Sequence, residues 1–171
     1  MAQETVTNKV LVVVKIRGEI SARREARETL ALLHLKHTNH AIMIDNRPAF
    51  LGMLRRAQSY VTWGEASKET IALMLKERGK IIGGNPLTEE AVKNIGYESI
   101  DALAEEIYNG KVNQWKVGGM QPLFKLHPPK KGFKGNTKKS FRAGGESGYR
   151  GEAINDLIKE WSKQPFSLIL F

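Results

Sequence analysis

The chain has 171 residues, of which 41% are hydrophobic and 26% charged, an ordinary globular composition that excludes a largely disordered protein. Because it contains no cysteine, disulfides, thiolate catalysis and cysteine-bound zinc are excluded, and a reducing, cytoplasmic compartment is expected. The net charge of +9 is unevenly distributed: residues 121–150 hold eight Lys or Arg and one acidic residue, which favours a polyanionic partner.

The length suits a single domain over residues 1–171, in which three consecutive parts are expected at 7–64, 66–120 and 121–171. Neither a targeting segment nor a membrane span is expected. The first nine residues are polar, and the apolar run at 10–14 is too short for either.

Residues 7–64 are expected to form a β-α-β-α-β core. The first strand is β-branched and nearly continuously apolar, which is typical of a central strand covered on both faces. Two helices alternate with two further short strands, which favours an α+β fold with helices packed on one sheet face. In chain order, the expected elements are a strand at 9–17, a helix from Ser21, a strand at 40–45, a helix at 49–57 after a turn at 46–48, and a strand at 60–64.

Residues 66–120 are expected to add three short helices, each with a Ser or Thr cap in front and a glycine behind. Residues 61–120 hold nine acidic and seven basic side chains, so we expect these helices to pack on the core or on a protein neighbour and to contribute less to polyanion binding. They are expected at 67–78, 88–95 and 99–109.

Residues 121–171 begin with a candidate strand at 122–126 and continue to a final amphipathic helix. Between them, the density of glycine and proline predicts a long loop without regular structure, pinned at both ends. We call residues 125–150 the basic segment. The helix is predicted from the helical spacing of Ile154, Leu157, Ile158 and Trp161.

The basic segment combines cations, aromatic residues and glycines, a composition that favours binding to folded RNA. Cations neutralise phosphates, aromatic rings stack on unpaired bases, and glycines let the backbone come close to the nucleic acid. The alternative is a solvated charge run, which would not need the interspersed prolines and aromatic residues. The candidate RNA-binding residues of this segment are Lys125, His127, Lys130, Lys131, Phe133, Lys134, Lys138, Lys139, Arg142, Tyr149 and Arg150.

A second, weaker set of candidates consists of arginines at element ends and on exposed helix faces. Arginines on helices also pair with nearby glutamates, as Arg24 is expected to do with Glu28 four residues on. Both interpretations stay open for this set, which comprises Arg17, Arg23, Arg24, Arg47, Arg55 and Arg56.

No metal site, cofactor or catalytic centre is expected. His34, His37 and His40 recur every three residues, but residues 38–39 interrupt the helix and no carboxylate at ligand spacing accompanies them. Neither glycine-rich phosphate motif, G-x-x-x-x-G-K-[ST] or G-x-G-x-x-G, occurs. The adjacent carboxylates at 89–90 and 105–106 are better explained as solvated helix faces than as acid and base.

Several motifs, spread over nearly the whole chain, together resemble the universal L-thirty proteins of the large ribosomal subunit, in the long form of archaea and eukaryotes. They are Val-Val-Lys-Ile-Arg-Gly at 13–18, Thr-Leu at 29–30, Leu-Leu-His-Leu at 32–35, Asn-His at 39–40, Asp-x-x-Pro-x-x-x-Gly-Met-Leu at 45–54, Tyr-Val-Thr-Trp-Gly at 60–64, Lys-x-Arg-Gly at 76–79, Pro-x-Phe-Lys-Leu-His-Pro-Pro at 122–129, Gly-Phe-Lys at 132–134 and Gly-Gly-Glu-x-Gly-Tyr-Arg-Gly at 144–151.

The resemblance implies a core related to the ferredoxin-like fold without its last strand, an added helical and basic C-terminal portion, and no enzyme activity. It also implies binding to large-subunit ribosomal RNA where this meets 5S rRNA, beside other large-subunit proteins. The sequence lacks the long basic N-terminal arm of the eukaryotic form, so the archaeal type is favoured.

Other functions are less well supported by the sequence. A free-standing RNA-binding regulator or RNA chaperone is the main alternative, because the same basic segment would serve it. An RNA-modifying enzyme should show a cofactor motif or a polar cluster, and a membrane-surface protein should carry its cations on an amphipathic helix. The family pattern does not include the apolar tail at 165–171. A packing strand, a contact with a neighbouring protein and an artificial extension all stay open for it.

Overall fold

The computed structural model of the chain describes residues 10–129 and 132–162. Its strands are β1 (Val10–Lys15), β2 (His40–Asp45), β3 (Val61–Glu65), β4 (Leu123–Lys125), β5 (Asn136–Ser140) and β6 (Gly145–Tyr149). Its α-helices are α1 (Arg24–Leu32), α2 (Pro48–Ala57), α3 (Lys68–Arg78), α4 (Glu89–Ile95), α5 (Ile100–Tyr108) and α6 (Ile154–Ser162), and short 3-10 turns occur at Gln114–Lys116, Phe141–Ala143 and Gly151–Ala153.

Strand β1 is central in a sheet with the order β4-β2-β1-β3-β6-β5. It pairs antiparallel with β2 on one side and with β3 on the other, and all six of its residues are buried. The predicted β-α-β-α-β order is therefore confirmed, as is the prediction that this apolar strand is covered on both faces. The chain has the predicted α+β fold.

The two faces of β1 contribute to two separate hydrophobic clusters. Leu11 and Val13 pack with residues of α1 and α2, whereas Val12 and Val14 pack with residues of α3, α4, α5 and α6. The expectation that the two helices of the core, α1 and α2, lie on one sheet face is therefore confirmed. A strand that is apolar on both faces needs a second cover, and the later helices supply it.

The three short helices begin where their caps predicted. The side-chain oxygens of Ser67, Thr88 and Ser99 each accept a hydrogen bond from a backbone N–H in the first turn of α3, α4 and α5, respectively. The final helix, α6, is also confirmed, with Ile158 and Trp161 buried on its inner face. No helix in the described part of the chain is long and apolar enough to cross a membrane.

The prediction of a long loop without regular structure was wrong for residues 136–149. Strand β6 pairs in parallel with β3, with Thr62 opposite Gly148 and Trp63 opposite Tyr149, and β5 pairs with β6. These strands are short, β5 being entirely polar and β6 containing two glycines, so they lack the alternation of apolar side chains that marks a strand in a sequence. Their backbone groups instead continue the sheet from β3, which would otherwise present an unpaired edge.

Gly64 in β3 lies against the turn that follows β6. A β-carbon there would overlap the carbonyl oxygen of Gly151 and lie 2.9 Å from Cγ2 of Ile154. We expect Gly64→Ala to lower the free energy of unfolding by about 1 to 3 kcal/mol, because β3 and α6 must separate to admit the methyl group. Urea denaturation followed by circular dichroism measures this.

Gly52→Ala is the matched control, because no atom lies within 4 Å of the β-carbon it would add to α2. For Gly52→Ala we expect the free energy of unfolding to rise by about 0.5 to 1 kcal/mol, because alanine has the higher helix propensity. Similar effects of the two substitutions would contradict the close packing of β3 against Gly151.

Candidate nucleic-acid interface

The C-terminal half of the basic segment is attached to the sheet through a buried arginine. Arg150 is 8% exposed, and its Nε donates to Oγ1 of Thr62 at 2.7 Å. Its Nη2 donates to the carboxylate of Glu146 at 2.6 Å and to the carbonyl of Glu146 at 2.7 Å. Thr62 in turn donates to the carbonyl of Gly148 at 2.9 Å. This hydrogen-bond network fixes β6 against β3.

The packing and backbone conformation of the fold itself require glycines in the motif at 144–151. A β-carbon on Gly145 would overlap the backbone of Lys139, so only glycine lets β5 and β6 come this close. Gly148 has a φ of 86°, a backbone conformation that other residues adopt rarely. The interpretation that the glycines serve close approach to RNA is therefore not needed at these two positions.

Two aromatic residues of this region remain partly exposed. Phe141 is 38% exposed, and the guanidinium of Arg150 lies 4.9 Å from its ring centroid. Tyr149 is 41% exposed, and its hydroxyl donates to both carboxylate oxygens of Glu65, at 2.9 and 3.0 Å. That hydrogen bond to a carboxylate is the main reason why the pKa of Tyr149 is raised above its ordinary value.

Strands β3 and β6, the turn after β5 and the helix α2 line an open recess of about 610 Å³. We call it the aromatic pocket, and define it by the side chains of Arg55, Trp63, Glu65, Phe141, Arg142 and Tyr149.

A second recess, of about 470 Å³, adjoins the aromatic pocket. Arg55 and Gln58 line both, so the two recesses lie side by side. Arg23 and Arg56 also line the second recess, together with the acidic Glu25. Beside it, the guanidinium of Arg17 lies 5.5 Å from the ring centroid of Tyr60, another lining residue. The structure thereby places Arg55 beside the end of the basic segment, and Arg17, Arg23 and Arg56 around the adjoining recess.

We call this combined surface the basic groove. It consists of the aromatic pocket, the second recess with Arg17, and the neighbouring exposed lysines of β5, Lys138 and Lys139.

The other candidates lie elsewhere, because the basic segment runs from one edge of the sheet to the other. Lys125 and His127 are exposed at and just beyond β4, whereas β5 forms the opposite edge. Lys134 is exposed and lies 3.5 Å from Glu160. Phe133 is half-buried, with its ring centroid 5.5 Å from that of Trp161.

Three further candidates complete the comparison with the sequence. Arg47, at the start of α2, forms an ion pair with Asp45 at 3.0 Å and does not line the groove. Lys130 and Lys131 lie outside the described residues, as does the apolar tail at 165–171.

The histidines at spacing three do not converge. The ring of His34 lies 5.2 Å from that of Trp115, whereas His37 and His40 contact one another, also at 5.2 Å. The pKa of His40 is lowered, first by burial and then by the charges of His37 and nearby lysines. His40 is therefore neutral at neutral pH.

Several residues that line the groove were not predicted from the sequence, among them Gln58, Trp63 and Glu65. Nothing in the sequence around Glu65 indicated a binding residue, since acidic residues are common at the ends of strands. Only its hydrogen bond with Tyr149 in the folded chain places it in the groove. The predicted pair of Arg24 with Glu28 is confirmed, at 2.6 Å between exposed side chains.

A family model and several individual proteins that are similar to this chain all indicate the same family. A family model described as ribosomal protein L30p/L7e matches residues 11–61. A large ribosomal subunit protein uL30 of Methanosphaera stadtmanae is 43% identical over 149 residues, which is 86% of this chain and 97% of the relative. Its counterpart in Thermofilum pendens is 44% identical, covering 85% of this chain and 94% of the relative. That of Ignicoccus hospitalis is 43% identical, covering 89% and 97%, respectively.

Two arginines of the basic segment, Arg150 and Arg142, are expected to differ sharply in their effect on stability. Arg150→Met leaves the buried carboxylate of Glu146 without its partner, so we expect the free energy of unfolding to fall by about 3 to 5 kcal/mol. Arg142→Met, at an exposed position, is expected to change it by less than about 0.5 kcal/mol. Urea denaturation of both variants measures the difference. An Arg150→Met variant as stable as the native chain would show that the network does not fix β6.

Proposed function

Since the chain belongs to the ribosomal protein L30p/L7e family, we propose that it is a structural component of the large ribosomal subunit that binds ribosomal RNA through the basic groove. The family consists of structural proteins of the ribosome, so no catalytic role enters the proposal. The ribosome-bound protein would lie in the cytoplasm.

The observation that carries the RNA-binding proposal is the convergence of cations from distant parts of the chain. Arg23, from the start of α1, and Arg55, from the end of α2, face the same groove as Arg142, which follows β5. Cations concentrated on one surface neutralise phosphates and release counterions more effectively than the same charges scattered over the protein. The exposed aromatic residues add surfaces on which bases stack.

Large-subunit RNA is preferred to a free RNA target because the relatives match over nearly their full length and carry the name of a large-subunit protein. Contact with 5S rRNA and with neighbouring large-subunit proteins is part of the proposal, and it rests on the family resemblance. The acidic helices α4 and α5 lie on the opposite face of the sheet from α1 and α2, which leaves them available for a protein neighbour.

The groove proposal predicts that position, and not only net charge, controls RNA affinity. A triple variant, Lys138→Ala with Lys139→Ala and Arg142→Ala, is expected to weaken binding to purified large-subunit rRNA by more than about tenfold at 0.15 M salt. The slope of log K against log salt should fall in magnitude by about 2 to 3, because up to three phosphate contacts are lost. Filter binding across a salt series measures both.

The matched control removes three exposed lysines from other parts of the surface, Lys93, Lys111 and Lys116. This control variant loses the same net charge as the groove variant. Because its lysines lie outside the groove, it should reduce the affinity for rRNA much less and leave the slope of log K against log salt nearly unchanged. Equal losses in the two triple variants would show that only net charge matters and that the groove is not the binding surface.

Cell fractionation separates the ribosomal role from a free-standing RNA regulator or chaperone. A component of the large subunit should remain with that subunit through a wash of moderate salt, in about one copy per 5S rRNA. A regulator would be present in fewer copies than the subunits. It would dissociate from them during the wash, because the salt screens its exposed ion pairs with RNA. Recovery mainly in the free protein fraction would contradict the ribosomal role.

A further inference from the structure

The walls of the aromatic pocket are held in place without any ligand. The hydroxyl of Tyr149 is bound to Glu65, and its ring centroid lies 6.4 Å from that of Trp63. Phe141 is held by the guanidinium of the buried Arg150, so its exposed part lies away from that contact. Two partly exposed rings that are already fixed lose little conformational freedom when a planar group packs on them.

The volume and the rings of the pocket suit a nucleobase. About 610 Å³ lies within the range of about 300 to 1,000 Å³ that is typical of small-molecule sites. A base inside an RNA helix is stacked on its neighbours and cannot enter a pocket of this kind, whereas an unpaired base that is turned out of the helix can.

The charges around the pocket indicate where the base and where the phosphates of a bound nucleotide would lie. Arg55 and Arg142 are exposed and can hold the phosphates that flank the base. Glu65, which lines the same cavity, would repel a phosphate but accepts hydrogen bonds from N–H groups. A base inside the pocket and phosphates at the arginines satisfy both requirements.

The carboxylate of Glu65 also distinguishes between bases. Guanine presents two adjacent N–H donors on its pairing edge, so a carboxylate oxygen that accepts from its amino group lies beside a second donor. Uracil presents one N–H between two carbonyl oxygens, which a carboxylate repels. The hydroxyl of Tyr149 donates to both oxygens and so occupies the edge between them, which leaves each oxygen an outer lone pair for a single N–H of the base.

We propose that the aromatic pocket binds the base of one unpaired nucleotide of RNA, and that Glu65 makes guanine the preferred base. This inference rests on the proposed function, since the ligand is RNA held by the basic groove.

The test uses three RNA hairpins of the same stem sequence, carrying no bulge, one bulged guanosine or one bulged uridine. Stacking of a base on aromatic side chains contributes about 1 to 3 kcal/mol. We therefore expect the full chain to bind the bulged-guanosine hairpin at least about fivefold more tightly than the fully paired one, with the uridine hairpin between them. Fluorescence anisotropy measures the three affinities. Equal affinity for all three would overturn the proposal.

Glu65→Gln tests the assignment of the base. The glutamine keeps an acceptor for Tyr149 but loses the charge and presents an N–H, so the ratio of guanosine to uridine affinity should fall towards one. Glu69→Gln, at an exposed position of α3, changes the net charge equally and should leave the ratio as it is in the native chain. A ratio that Glu65→Gln does not change would overturn the preference for guanine.

Tyr149→Leu tests the stacking surface. It keeps an apolar side chain but removes the ring, so the preference for bulged over paired RNA should be lost. Circular dichroism confirms that each variant folds. A preference that persists in this variant would place the base elsewhere and overturn the proposal.

The hairpins also distinguish this proposal from the proposed function. Tight, salt-dependent binding of all hairpins without a preference for a bulge would refute the pocket and leave the RNA-binding groove standing. Absence of binding to the hairpins and to large-subunit rRNA alike would refute both.

Discussion

The buried guanidinium of Arg150 determines where the basic segment lies. Exposed ion pairs such as Arg24 with Glu28 contribute at most about 1 kcal/mol, because water solvates both partners well. Arg150 and Glu146 are almost fully buried. The guanidinium therefore depends on Glu146 and Thr62 for its hydrogen bonds, and the carboxylate depends on Arg150 and on the backbone N–H of Gly135. Strand β6 is thereby held beside β3, and Phe141 and Tyr149 take their positions from it. Without this attachment, the candidate residues around β6 would have no defined relation to the arginines of α1 and α2.

Lys15 shows the same use of a buried cation at another place. Its Nζ donates to the carbonyls of Leu35 and Lys36 and to the carboxylate of Glu19, although the side chain is only 1% exposed. It therefore holds the connection between α1 and β2 against the central strand. The positive charges of this protein consequently have two roles. Lys15 and Arg150 are buried and hydrogen-bonded and organise the fold, whereas the exposed cations form the surface through which we propose that the protein binds RNA.

Because the cations have these two roles, the distribution of net charge along the sequence predicted only part of the set of residues that share one surface. The basic segment is continuous in the sequence, but it crosses from β4 at one edge of the sheet to β5 at the other. Lys125 and Lys138 are thus placed on different sides of the molecule. Conversely, Arg55 and Arg142 are far apart in the sequence and line one cavity. The sheet order therefore decides which cations act together.

The sequence by itself determined the features that depend on near neighbours in the chain. Strand β2 and the starts of α3, α4 and α5 were predictable, because side-chain periodicity and capping hydrogen bonds act over a few residues. The tertiary structure alone decided that β5 and β6 join the sheet, that Arg150 is buried while Arg142 is exposed, and that Glu65 faces Tyr149. Thr62 and Arg150 are 88 residues apart, and Glu65 and Tyr149 are 84 apart. Contacts over such separations depend on how the whole chain packs, and the local pattern at either residue does not contain that information.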